Sequence, residues 1–163
     1  MPYQPILATL GYILDKSRQK VLLVHRNRRA CDQHLGKYNG LGGKLEAGED
    51  VVAGMKREIR EEAGIECTSL VLRGTISWPG FGKGGEDWFA FIFLIDAWQG
   101  EPRTENAEGT LEWIELTQVE QLPLWEGDCY FLPLVFEGGG QFHGVMPYRD
   151  GKPLSWTCSR LSS

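Results

Sequence analysis

Residues 42–65 read GGKLEAGEDVVAGMKREIREEAGI, a glycine-rich turn that runs into one short helix. Asp50 suits the N-cap, because its carboxylate accepts from the open backbone N–H groups of the first turn. Gly64 suits the C′ position, since glycine enters the left-handed region without a Cβ penalty. Between them Val52, Met55, Ile59 and Ala63 recur at steps of three and four and form one apolar stripe that faces a core. Glu58, Glu61 and Glu62 share that spacing on a neighbouring face. Like charges so placed repel. A cation offsets the repulsion, and hard oxygen ligands suit Mg²⁺ or Mn²⁺. The plain alternative is a solvated acidic face. The pair Gly42-Gly43 argues for the cation, because it lets backbone approach a ligand and lets a carbonyl complete a metal site. Glu49 precedes the helix, and Arg57 can pair with it or with Glu61 at i+4.

Composition bounds the rest. The 163 residues suffice for one domain with a real core, and 42% hydrophobic with 24% charged content is ordinary for a globular protein. A net charge of −5 argues against a nucleic-acid polymer as partner. A small phosphorylated ligand that brings its own Mg²⁺ needs no basic protein. Cys31, Cys67, Cys129 and Cys158 are scattered without a CxxC pair, as expected of reduced thiols in a cytoplasmic protein. The first residues, MPYQPILATLGYIL, show no basic region before an apolar run, and no segment is long enough to span a bilayer.

Along the chain, residues 6–14 and 20–25 are apolar, β-branched strand candidates. Arg26, Asn27, Arg28 and Arg29 follow as a basic cluster, fit either to meet a triphosphate or to end a strand in solvent. Residues 30–37 read as a loop, and Tyr38-Asn39-Gly40-Leu41 leads into the glycine turn. Residues 67–77 form another strand. The glycine-rich stretch 78–85 is either a lid near a ligand or a long hairpin connection. Residues 87–98, DWFAFIFLIDAW, fit a central strand buried on both faces. Residues 111–116 alternate like a half-buried strand, 117–121 read as a helical turn, and Pro123 ends it. Residues 125–137 carry helical spacing with Asp128 near the start and Pro133 awkwardly inside. Residues 141–156 read as a closing hairpin with Asp150-Gly151 at its turn. Without repeats or linkers the chain reads as one α/β domain, 1–163.

Gly43, five residues, Glu49, seven residues, then Arg57-Glu58-Ile59-Arg60-Glu61-Glu62-Ala63-Gly64-Ile65 matches the signature box of the Nudix hydrolases without a departure. The chain resembles that family. The resemblance implies an α/β/α sandwich around a central mixed sheet, and metal-dependent cleavage of a nucleoside diphosphate linked to a further group. It implies the Gly42 carbonyl, Glu58, Glu61 and Glu62 as metal ligands, joined by a carboxylate outside the box. Glu108 sits where relatives place it, with Glu105 as competitor. The expected catalytic set is Arg57, Glu58 and Glu61. Glu58 leads as the group that activates water, with Glu61 and Glu108 behind it.

The flanks are similar to the oxidised-purine nucleoside triphosphatases of the MutT and MutX type. The stretches KYNGLGGKLE, GTLEW, PLWEGD and QFHG carry this likeness over nearly the whole chain. It implies that Asn39 bonds the purine edge, Trp125 stacks on the base and Asp128 bonds it too; Arg26 and Lys44 are further substrate-binding candidates beside them. Asn carries both a donor and an acceptor, and base stacking on an indole is worth roughly 1–3 kcal/mol. Taken singly, Trp125 fits a core aromatic, Asn39 a turn residue and Asp128 a helix N-cap. The human enzyme of this type has adjacent aspartates where this chain has Gly127 then Asp128. The expected activity is hydrolysis of 8-oxo-dGTP, or a related purine triphosphate, to the monophosphate and pyrophosphate by a monomer or homodimer. Rival readings are a Nudix hydrolase of another nucleotide, ADP-ribose among them, and a nucleotide sensor without turnover.

Overall fold

The computed structural model describes residues 1–28 and 35–162. Arg29 of the basic cluster, Cys31, His34 and most of the loop expected at 30–37 lie outside them. The apolar opening segment forms β1 (Ile6–Leu14), and VLLV falls within β2 (Lys20–Arg26). Short strands β3 (Tyr38–Asn39) and β4 (Leu41–Lys44) lead to helix α1 (Val51–Ala63). The glycine turn expected at 42–44 is therefore strand, because β1 offers Ala8–Gly11 for pairing with it. The long hairpin of β5 (Glu66–Trp78) and β6 (Trp88–Gln99) follows, then β7 (Gly109–Glu115) and a 3-10 turn, Leu116–Gln121. Helix α2 (Asp128–Phe136) precedes β8 (Phe142–Val145), β9 (Tyr148–Arg149), β10 (Lys152–Pro153) and β11 (Thr157–Arg160).

Among the described residues the main sheet runs β11-β8-β5-β6-β1-β2-β3, with β4 also beside β1 and β7 beside β2. β1 with β6 and β5 with β8 are parallel, and the other pairs are antiparallel, so the sheet is mixed. One face packs Ile13, Leu22, Phe93 and Ile95 against Met55, Ile59 and Ala63 of α1. The other packs Leu23, Ile76 and Ile92 against Phe131, Leu132 and Val135 of α2. Strand alternation explains this division, since neighbours such as Leu22 and Leu23 point to opposite faces. The result is the α/β/α sandwich.

Several expectations need correction. Val52 is 40% exposed, and Val51 packs toward the core instead, because the buried series on α1 advances by fours from 51 to 63. The helix expected at 125 begins at 128, with Gly127 at the N-cap position. Asp128 therefore caps nothing. Residues 141–156 do not make one hairpin. β8 pairs with β5 and β11, and only β9 and β10 close on the Asp150-Gly151 turn, both of whose residues have positive φ.

Candidate active site

Both ends of α1 are capped as its sequence dictates. Asp50 accepts from the Ala53 N–H at 2.8 Å, and Gly64, at φ 74°, donates to the Arg60 carbonyl. The helix thus presents its carboxylates to β4. A Cβ on Gly43 would stand 2.6 Å from Glu58 Oε1, so only glycine leaves room for that carboxylate. Arg57 pairs with Glu49 at 2.7 Å, with Glu58 at 3.0 Å and with Glu61 at 3.3 Å, so both partners expected for it are engaged together. Its hydrogen bonds, more than its charge, hold the Glu49 carboxyl down at about 2.

Glu62 is the most shielded of the three box carboxylates. Burial, then the charges of Glu108 and Glu58, push it up to about 9, against a backbone hydrogen bond from Gly42. Burial likewise raises Glu58, and Arg57 opposes the rise. Glu61 stands apart with its side chain 58% exposed. Glu108 reaches Glu62 because the 103–109 loop is tied to the end of α1. Asn106 donates to the Glu62 carbonyl at 3.2 Å and accepts from the Glu108 N–H at 2.9 Å, and the Arg103 N–H donates to the Ala63 carbonyl. Its competitor Glu105 is taken up by an ion pair with Arg28. Glu58, Glu62 and Glu108, whose charges bear on one another, are a donor set suited to a hard divalent ion. As they stand, no three His, Cys, Asp or Glu side chains among the described residues are close enough to grip one.

Gly42 and Gly43 also line a cavity of about 480 Å³. Arg26, Asn39, Trp125 and Asp128 line it too, so two segments far apart in sequence converge there. Arg26 is not a bare cation, for it pairs with Glu108 at 3.1 Å. Lys44 stays outside the cavity, its Nζ 5.6 Å from the centre of the Trp88 ring. Trp78, Phe81, Trp88 and Tyr148 supply aromatic wall that the sequence reading did not single out. Phe81 packs edge-on to Trp125 at 5.4 Å and to Tyr148 at 4.9 Å. Phe81 and Lys83 come from the glycine-rich stretch, which is at once the β5–β6 connection and part of the cavity wall.

The polar groups of this wall are unusual. Thr9 Oγ1, Asn39 Nδ2 and Trp88 Nε1 are buried and lack a hydrogen-bond partner among the described residues. Each such group costs about 1–3 kcal/mol until something satisfies it. A threonine inside the apolar run ILATLGYIL was the available signal for Thr9. Burial pushes the Asp128 carboxyl up to about 7, with Lys37 opposing. Gly127 has no room for a side chain, since a Cβ would meet Met146 Sδ at 2.2 Å and Tyr148 Oη at 2.4 Å. The departure from the paired aspartates is thus filled by Tyr148 and Met146.

The NUDIX domain family model matches residues 5–135. The chain is 37% identical to the oxidized purine nucleoside triphosphate hydrolase of Mus musculus over 88% of its length and 87% of the relative's. It is 34% identical to an uncharacterized Nudix hydrolase, YvcI, of Bacillus subtilis over 79% of each chain. The crystal structure of a MutT protein from Bacillus halodurans superposes with a TM-score of 0.82 at 30% identity, covering 94% of this chain and 97% of that one. No helix among the described residues is long and apolar enough to cross a membrane. The box geometry, the mixed-sheet sandwich and these likenesses agree: the chain belongs to the Nudix hydrolase family.

Proposed function

We propose that this Nudix hydrolase cleaves purine nucleoside triphosphates, 8-oxo-dGTP foremost, to the monophosphate and pyrophosphate with Mg²⁺. The observation that carries the reading is an aromatic cavity that adjoins the box carboxylates and is lined by Thr9, Asn39 and Trp88, each with a buried polar atom that has no partner among the described residues. Flat rings accept a base face, and unpartnered polar atoms favour a ligand with hydrogen-bonding edges. Gly42 and Gly43 join the two halves, since they line the cavity and touch Glu62 and Glu58. The name of the mouse relative points the same way.

In this reading Glu58, Glu61, Glu62, Glu108 and the Gly42 carbonyl hold the divalent ion, which neutralises the phosphate chain when bound. Glu58 takes the proton of the attacking water, and Arg57 orients Glu58. Water adds to the β-phosphorus and the nucleoside monophosphate leaves, so the pyrophosphate carries the new P–O bond. Asn39, Trp125 and Asp128 hold the base. Arg26 positions Glu108, and Lys44 meets phosphate oxygens at the rim. A competition assay with 8-oxo-dGTP, dGTP, dATP and ADP-ribose tests the proposal. The oxidised purine should be consumed first, and Asn39→Ala should narrow purine discrimination about tenfold without loss of Mg²⁺ binding. Preferential consumption of ADP-ribose would overturn the substrate; binding without released pyrophosphate would favour the sensor.

A further inference from the structure

Arg73 is a buried cation that the chemistry above does not use. It lies in β5 at a register shift between Leu72 and Gly74, where β6 has no matching residue. Such a bulge re-aims a side chain. Gly74 beside it lets β8 run close, for a Cβ there would lie 1.9 Å from the Phe142 carbonyl oxygen. Arg73 is only 6% exposed. Its guanidinium donates to the carbonyls of Leu134, Val135, Glu137 and Gly139 at 3.0–3.2 Å. Among the described residues no carboxylate joins them in its hydrogen bonds and ion pairs. The negative end of α2 therefore stands in for a counter-ion.

Helix α2 is poorly held by its own sequence. It has nine residues, no side-chain N-cap, no basic residue in its last turn, and an interior Pro133 that removes one ladder bond. The cation for its C-terminus comes instead from β5. The opposite end of α2 forms the cavity wall: Asp128 opens the helix, Trp125 precedes it, and Phe131 packs on Trp78 with ring centres 6.2 Å apart. A nine-residue helix is about 13 Å long, so a tilt at one end moves the other by a comparable displacement.

We propose that Arg73 is a positioning residue for the base pocket: it clamps the far end of α2 and so sets where Trp125 and Asp128 stand. The inference rests on the reading that these two residues meet the base. The test compares kcat/KM for 8-oxo-dGTP with kcat/KM for dCTP in the full chain, well below the melting temperature of each variant. In Arg73→Met the ratio should fall about tenfold, mostly through KM for the purine, because small misplacements in a site are costly. Arg73→Lys keeps the charge but has no fork, and should fall between Met and wild type. Arg73→Lys carries the test alone should Arg73→Met fail to fold. A simple loss of stability lowers both substrates together and leaves the ratio unchanged, which would overturn the proposal. Trp125→Ala serves as reference. If it loses the ratio while both Arg73 variants keep it, only the clamp is wrong. If Trp125→Ala keeps the ratio, the pocket reading itself fails and takes the clamp with it.

Discussion

Gly43 and Glu58 share one space, and this sets the sharpest prediction at the scale of single residues. A methyl group at 43 would stand 2.6 Å from the Glu58 carboxylate. That carboxylate is the end of a flexible side chain, so it can swing away at little cost to the fold. Gly43→Ala should lower kcat about tenfold or more while the melting temperature stays nearly constant. Assay and thermal melt on the same preparation check this, and a fully active Gly43→Ala enzyme would remove Glu58 from its assigned place. Arg57 illustrates what spacing leaves open: Glu49 and Glu61 were both within its reach in sequence, and the folded chain uses both and adds Glu58.

Helix α2 sets the prediction at the scale of elements. Its first residue, Asp128, has a carboxyl raised by burial from 3.8 to about 7. The folded state therefore keeps a proton that the unfolded chain gives up. The stability tied to that proton is complete below about pH 4 and is lost as pH rises through 7. Asp128→Asn carries no such loss. Its stability relative to wild type should improve from pH 5 to pH 8 by on the order of 2 kcal/mol, discounted for partial exposure. Urea unfolding at the two pH values measures the difference, and an identical offset at both would show that the carboxyl is not desolvated. Periodicity placed this helix but not its first residue, because Trp125 stands in helical step with Cys129, Leu132 and Phe136. Helix α1 was legible nearly to the residue, since its caps are local chemistry that Asp50 and Gly64 supply themselves.

For the whole molecule, the proposed ion links three separate elements: α1 through Glu58 and Glu62, β4 through Gly42, and the loop before β7 through Glu108. Bound only by the folded chain, Mg²⁺ at about a hundred times its Kd should add roughly 2.7 kcal/mol and raise the melting temperature by about 5 °C or more. Melts with Mg²⁺ and with a chelator check this, and no difference would leave the carboxylates without their ion. The sequence by itself determined the box, the caps of α1, most strands and the three glutamates on one helix, because those depend on neighbours within a few residues. Only the tertiary structure decided that the charge of Glu108 bears on Glu62 while Glu105 pairs with Arg28, that Thr9, Trp78, Phe81, Trp88 and Tyr148 wall the cavity, and that Arg73 caps a helix more than sixty residues away. Such contacts depend on strand register and on which segments cross in space, and local patterns carry no record of either.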